Sequence, residues 1–194
     1  MPRRVVLTKA GSPDTIAIKE MEMPSPGEGE IRIEVAFAGI NFADLLMRLG
    51  LYNPRPDYPF TPGYEMSGVV DAIGEGVEGF SLGQRVVAAM PNGGQSSHTV
   101  VAANRALVLP EEVSLETAAS IPVTYLTAHH MLHYLGHMKK GDSVLIHGGA
   151  GGVGTAALQL CQWAGVDEVW ATASGHKAST IQKFGGVAID RHNE

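Results

Sequence analysis

Cysteine is nearly absent from this 194-residue chain, and the single one, Cys161, excludes both an intrachain disulfide and a cysteine-rich zinc knot. Long apolar runs are also missing. The opening stretch Arg3-Arg4-Val5-Val6-Leu7-Thr8-Lys9 turns polar too soon for a signal-peptide core, and no segment approaches the roughly 20 apolar residues of a membrane span. Positive charge is in deficit. Fourteen Lys and Arg stand against 20 Asp and Glu, and a net charge of −6 argues against a nucleic-acid or anionic-membrane surface. With 44% hydrophobic and 18% charged residues the chain is globular rather than disordered. The expectation is a cytoplasmic protein of one large or two small domains.

Two textures divide the chain. Up to about residue 110, short β-branched segments alternate with Gly, Pro and Ser breakers: Val5 to Leu7, Thr15 to Ile18, Ile31 to Ala36, Gly68 to Val70 and Arg85 to Val87. A small barrel or sandwich with one short helix near Asn41 to Leu49 is expected. From Ser114, a good helix cap, helical spacing runs through Ala119 and, after an interruption at Pro122, from Leu126 to Leu135. Strands at Ser143–Ile146, Val169–Thr172 and Val187–Ile189 then alternate with helices at Thr155–Trp163 and Lys177–Phe184. That alternation means a parallel sheet. The fold class is α/β, with domains over 1–122 and 123–194.

Between the first of those strands and its helix lies Gly149-Ala150-Gly151-Gly152-Val153-Gly154, a GxGxxG pattern in the strand-to-helix context that a dinucleotide site requires. Gly149 permits the tight turn, Gly151 lets the backbone approach a pyrophosphate, and Gly154 allows close helix–strand packing. Free amides and the helix dipole then favour the anion. After the second strand an NAD site places a carboxylate to hold the ribose 2′-hydroxyl. Here Ala173-Ser174-Gly175-His176-Lys177 offers Ser174 and Lys177 to a 2′-phosphate and no carboxylate to repel it, which favours NADP(H).

Several segments, in order, carry a resemblance. Ala38-Gly39-Ile40-Asn41-Phe42-Ala43-Asp44, Pro62-Gly63-Tyr64-Glu65-Met66-Ser67-Gly68, Tyr125-Leu126-Thr127-Ala128 and the glycine loop together resemble the medium-chain dehydrogenase/reductase superfamily. Within it the chain resembles the zinc-free quinone oxidoreductases, and Met47-Arg48 with Gly50-Leu51-Tyr52 resembles most the VAT-1-like branch. The resemblance implies a GroES-like domain that holds substrate, a Rossmann domain that holds cofactor, and a reaction in the cleft between them. It implies Asn41 beside the nicotinamide and the substrate carbonyl, Tyr52 at the substrate end and Thr127 near the nicotinamide carboxamide. Ser174 and Lys177 match the 2′-phosphate segment, and Arg191 stands where relatives often have Tyr. Leu46 departs from the Tyr of many quinone oxidoreductases. Zinc-dependent members place Cys and His where this chain has Asn41 and Tyr64, and Met90-Pro91-Asn92-Gly93-Gly94-Gln95 replaces their four-cysteine lobe, so no metal is expected.

Other residues receive plainer readings. His129, His133 and His137 share one helix face, with His130 beside them, but no Glu joins the cluster and partly exposed helix histidines are expected. Cys161 reads as a core thiol, Asp44 as a local hydrogen-bonding residue and Glu65 as buried and structural. Only three strands of a doubly wound fold are present, so the chain reads as the front of a roughly double-length enzyme, homodimeric when full length. The expected function is NADPH-dependent, zinc-independent reduction of quinones or α,β-unsaturated ketones. The rivals are a zinc-type alcohol dehydrogenase relative and a noncatalytic NADPH-binding or lipid-associated VAT-1-like protein.

Overall fold

The computed structural model describes residues 1–192, and its chain divides between Val123 and Thr124 into two compact units.

The first unit is antiparallel. Strands β1 (Arg3–Leu7) and β2 (Ile16–Glu20) form a hairpin. Strands β3 (Glu30–Ala38), β4 (Glu65–Ile73), β5 (Arg85–Ala89), β6 (His98–Ala102) and β7 (Ala106–Val108) form a five-stranded sheet in the order β6-β3-β4-β5-β7. The period-2 rule sets the faces of β3: Ile31 and Ile33 are fully buried, whereas Arg32 turns outward to pair with Asp71 at 2.9 Å. Met66, Val70, Val86 and Ala88 complete that core. Strands β6 and β7 were not anticipated, although His98-Thr99-Val100-Val101-Ala102 carries the β-branched signal that marks the others.

Helix α1 (Phe42–Arg48) is the short helix expected there, and Ser114 caps α2 (Leu115–Ala118) by accepting the Thr117 amide at 3.1 Å. Pro122 does not interrupt the next helix but opens it, as the first residue of α3 (Pro122–His129), where a missing N–H costs nothing. From His130 to Leu135 the helix widens to a π-turn, and Gly136 donates to the Met131 carbonyl, five residues back.

The second unit holds a parallel sheet in the order β10-β9-β8: β8 (Ser143–Ile146), β9 (Glu168–Ala173) and β10 (Val187–Asp190). Helix α4 (Gly152–Ala164) and α5 (Ala178–Lys183) connect them, with a 3-10 turn at Gly175–Lys177 ahead of α5. The parallel pairing is what the strand–helix alternation predicted. Leu158, Cys161 and Ile181 are buried under it, whereas Leu145 on β8 is 56% exposed. Among the described residues no helix is long and apolar enough to cross a membrane.

Candidate functional site

In the first unit the candidate residues are held by two buried carboxylates. Asn41 is the N-cap of α1, and its backbone N–H donates to Asp44 Oδ2 at 2.8 Å. The other oxygen of Asp44 accepts the Gly63 amide at 3.2 Å, so one side chain ties the start of α1 to the loop carrying Tyr64. Gly63 lies at φ +107°, a conformation favouring glycine, and a Cβ there would meet the Gln95 amide at 2.6 Å. Glu65, 2% exposed, accepts Asn41 Nδ2 at 2.7 Å and the Val123 amide at 2.8 Å. The plain structural reading of Glu65 therefore understates it, because this carboxylate sets which way the Asn41 amide faces.

Burial pushes both carboxyls above their ordinary values; the hydrogen bonds from the Asn41 and Gly63 amides to Asp44, and from Val123 and Asn41 to Glu65, oppose the shift. The Tyr64 phenol is pushed up to about 12 by burial first, then by the Tyr52 phenol hydrogen-bonded to it, and by Asp44. Tyr52 and Tyr64 pack with Tyr58 around Leu7, Met47 and Phe60. Asn41 and Tyr52 thus belong to one neighbourhood, reached through Asp44 and Tyr64.

In the second unit the site is built from backbone. The left-handed residue of the tight turn is Gly148, at φ +72°, and not Gly149. Gly149 is needed for another reason: a Cβ there would run into the Ala171 side chain on β9, and its N–H donates to the Thr172 carbonyl at 2.9 Å. Thr172 Oγ1 accepts the Gly148 amide at 3.1 Å, so β9 clamps the loop at both glycines. Gly151 is the N-cap of α4, which opens at Gly152, earlier than the expected Thr155. Gly154 lets α4 pack closely on the loop rather than on a strand, since a Cβ would meet the Gly149 Cα at 2.6 Å. The first-turn amides of α4 have no acceptor within the helix, and Ala150, Gly152 and Val153 lie on this turn, where an anion is favoured. A groove of about 440 Å³ opens beside it, lined by Ala128, Met131, Leu145, His147, Gly148 and Gly151. Thr127, exposed on α3, precedes Ala128 on that wall.

Ser174 sits at the N-cap position of the 3-10 turn that carries Lys177, with no side-chain capping bond, and Lys177 is exposed. The Arg191 amide donates to the Ala173 carbonyl at 3.0 Å, which places Arg191 beside this segment. The carboxylate missing after β9 is supplied from the neighbouring strand: Asp190 Oδ2 lies 2.5 Å from where a Gly175 Cβ would stand. Nothing along β9 itself signals that charge; only parallel pairing of β9 with β10, Ala173 opposite Asp190, brings it there.

His129 and His133 pack with ring centroids 4.7 Å apart and planes tilted by 41°, and His130 stacks on Tyr134 at 4.8 Å. His137 does not extend that face. It lies beyond the π-turn at φ +48°, because the i−5 bonding ends the helix at Gly136. Among the described residues no three His, Cys, Asp or Glu side chains gather as a metal site. Cys161 is fully buried, 3.6 Å from the Met138 sulfur, and burial pushes its thiol up.

Residues 27–111 match the alcohol dehydrogenase GroES-like domain family. The synaptic vesicle membrane protein VAT-1 homologue of Danio rerio is 41% identical over 186 residues, covering 95% of this chain and 38% of its own length. The solved human VAT-1 homologue-like protein superposes with a TM-score of 0.94 at 34% identity, over 98% of this chain and 62% of that one. The Escherichia coli quinone oxidoreductase solved with NADPH gives 0.89 at 32% identity, over 99% and 59%. The chain therefore spans less than half of that curated relative and about three fifths of the solved ones.

Proposed function

The chain belongs to the medium-chain dehydrogenase/reductase superfamily, near the VAT-1 homologues and quinone oxidoreductases, and on that premise we propose that it serves an NADPH-dependent, zinc-independent reduction of quinones or α,β-unsaturated ketones. The observation that carries the reading is the loop after β8. Gly149 and Gly154 have no room for a side chain, Gly148 takes the left-handed turn, and Gly148, Gly151, Val153 and Gly154 line a groove at the start of α4, where the first-turn amides lack helical acceptors. Such a cradle fits a pyrophosphate. Ser174, Lys177 and Arg191 are the residues for the adenosine end, and Thr127 for the carboxamide end.

The bound cofactor supplies the hydride; the chain supplies orientation. Asn41 Nδ2 has one N–H committed to Glu65, and the second remains to donate to the acceptor carbonyl, where negative charge develops. Solvent protonates that oxygen, so no strong general base is required. Tyr52 lines the acceptor's end. Asn41 and Tyr64 are poor zinc ligands, which supports the zinc-independent reading. A homodimer is the expected assembly.

Loss of reduced-nicotinamide absorbance across a panel of quinones and enones is the test. Turnover with NADPH, abolished in Asn41→Ala, supports the reading; cofactor that stays reduced with every acceptor defeats it. The names of the VAT-1 homologues favour a second reading, a noncatalytic NADPH-binding or lipid-associated protein. That reading expects NADPH to bind without being consumed.

A further inference from the structure

Cofactor choice in such a fold is read at the end of the second strand, and this structure places a charge there that does not belong to that strand. Strand β10 runs parallel to β9 with Asp190 opposite Ala173, the residue before Ser174. The half-buried Asp190 carboxylate is turned onto the backbone of the 2′-phosphate segment, with Oδ2 2.5 Å and Cγ 3.4 Å from the position of a Gly175 Cβ. Its other oxygen accepts the His192 amide at 3.1 Å, which fixes its direction. Glycine at 175 is what lets the carboxylate come so close.

Resting on the NADPH reading above, we propose that Asp190 is a second determinant of cofactor choice, a negative charge lent by the adjacent strand that weakens binding of the 2′-phosphorylated ribose and leaves the unphosphorylated one untouched. Ser174 and Lys177 attract the phosphate while Asp190 repels it, so the preference for NADPH over NADH is moderate. Two negative charges within a Debye length of each other at a wet surface repel by about three- to tenfold in affinity, and salt screens the effect.

The test needs only the adenosine half of the cofactor and the chain as it exists. Calorimetric titration with 2′,5′-ADP and with 5′-AMP compares wild type, Asp190→Asn and Asp190→Glu, all first shown to melt alike. Asp190→Asn tightens 2′,5′-ADP about three- to tenfold, changes 5′-AMP less than twofold, and loses its advantage at high salt; Asp190→Glu keeps the wild-type ratio. Equal shifts for both ligands, or none, overturn the inference. The NADPH reading fails separately, when wild type holds 2′,5′-ADP no more tightly than 5′-AMP and Lys177→Ala changes neither. Absence of binding by both nucleotides sinks both.

Discussion

The two units build their sites from opposite materials. In the first, buried side-chain charges do the positioning: Asp44 and Glu65 are enclosed, and between them hold Asn41, Gly63 and Val123. In the second, the positioning is done by backbone, through glycines that leave no room for a Cβ and first-turn amides that have no acceptor within the helix. A buried carboxylate is costly to ionise but can aim one amide side chain at one atom. A glycine turn carries no net charge, and it suits a ligand that brings its own. The first arrangement fits orienting a neutral acceptor, and the second fits anchoring a phosphate.

The sharpest way to break this contrast is to damage each core separately. Ile33→Ala and Leu158→Ala each remove a fully buried side chain, and each is expected to cost about 2–5 kcal/mol. Calorimetry should show Ile33→Ala lowering the transition of the first unit and Leu158→Ala that of the second. A single transition lowered equally by both would mean that the units unfold as one.

Next in size is Gly154→Ala, whose new methyl meets the Gly149 backbone and costs about 1–3 kcal/mol by overpacking. NADPH affinity should fall with it, read by fluorescence titration, while the first unit's transition stays in place. Unchanged affinity would remove the loop from the cofactor site. Lys177→Ala should then weaken NADPH by about tenfold and leave NADH nearly unchanged, as expected of an exposed charge on a phosphate. Equal losses for the two cofactors would deny Lys177 that role.

The smallest effect sharpens the comparison by pH. Folding raises the Asp44 and Glu65 carboxyls above their ordinary values of 3.8 and 4.5. Just above those values the folded protein binds more protons than the unfolded chain. Stability therefore falls as pH rises through that window and is regained as pH drops. The first unit's transition should carry this slope, and Glu65→Gln should flatten it. A slope confined to the second unit would contradict the assignment.

The sequence was most legible where local geometry decides the outcome. An apolar strand followed by closely spaced glycines and a helical period can do little else, so β8, the loop and α4 were readable together. Local reasoning failed at the same loop on a finer scale. With Gly148, Gly149, Gly151 and Gly152 crowded together, no local rule says which takes the left-handed turn, and only the approach of Ala171 assigns the roles. The π-turn at His130–Leu135 was equally hidden, since helical spacing continues through it.

What the sequence by itself determined is the kind of most elements, with β6, β7 and the π-turn the exceptions. Alternation made the antiparallel strands, strand–helix alternation made the parallel sheet, and the motifs proposed Asn41, Ser174 and Lys177 as candidates. What only the tertiary structure decided is which group faces which: Glu65 on the Asn41 amide, Tyr52 on Tyr64, and Asp190 on Gly175. Those pairings join residues far apart in the chain. Strand register and loop packing bring them within hydrogen-bond or van der Waals reach, and a one-residue slip would turn each side chain to the other face.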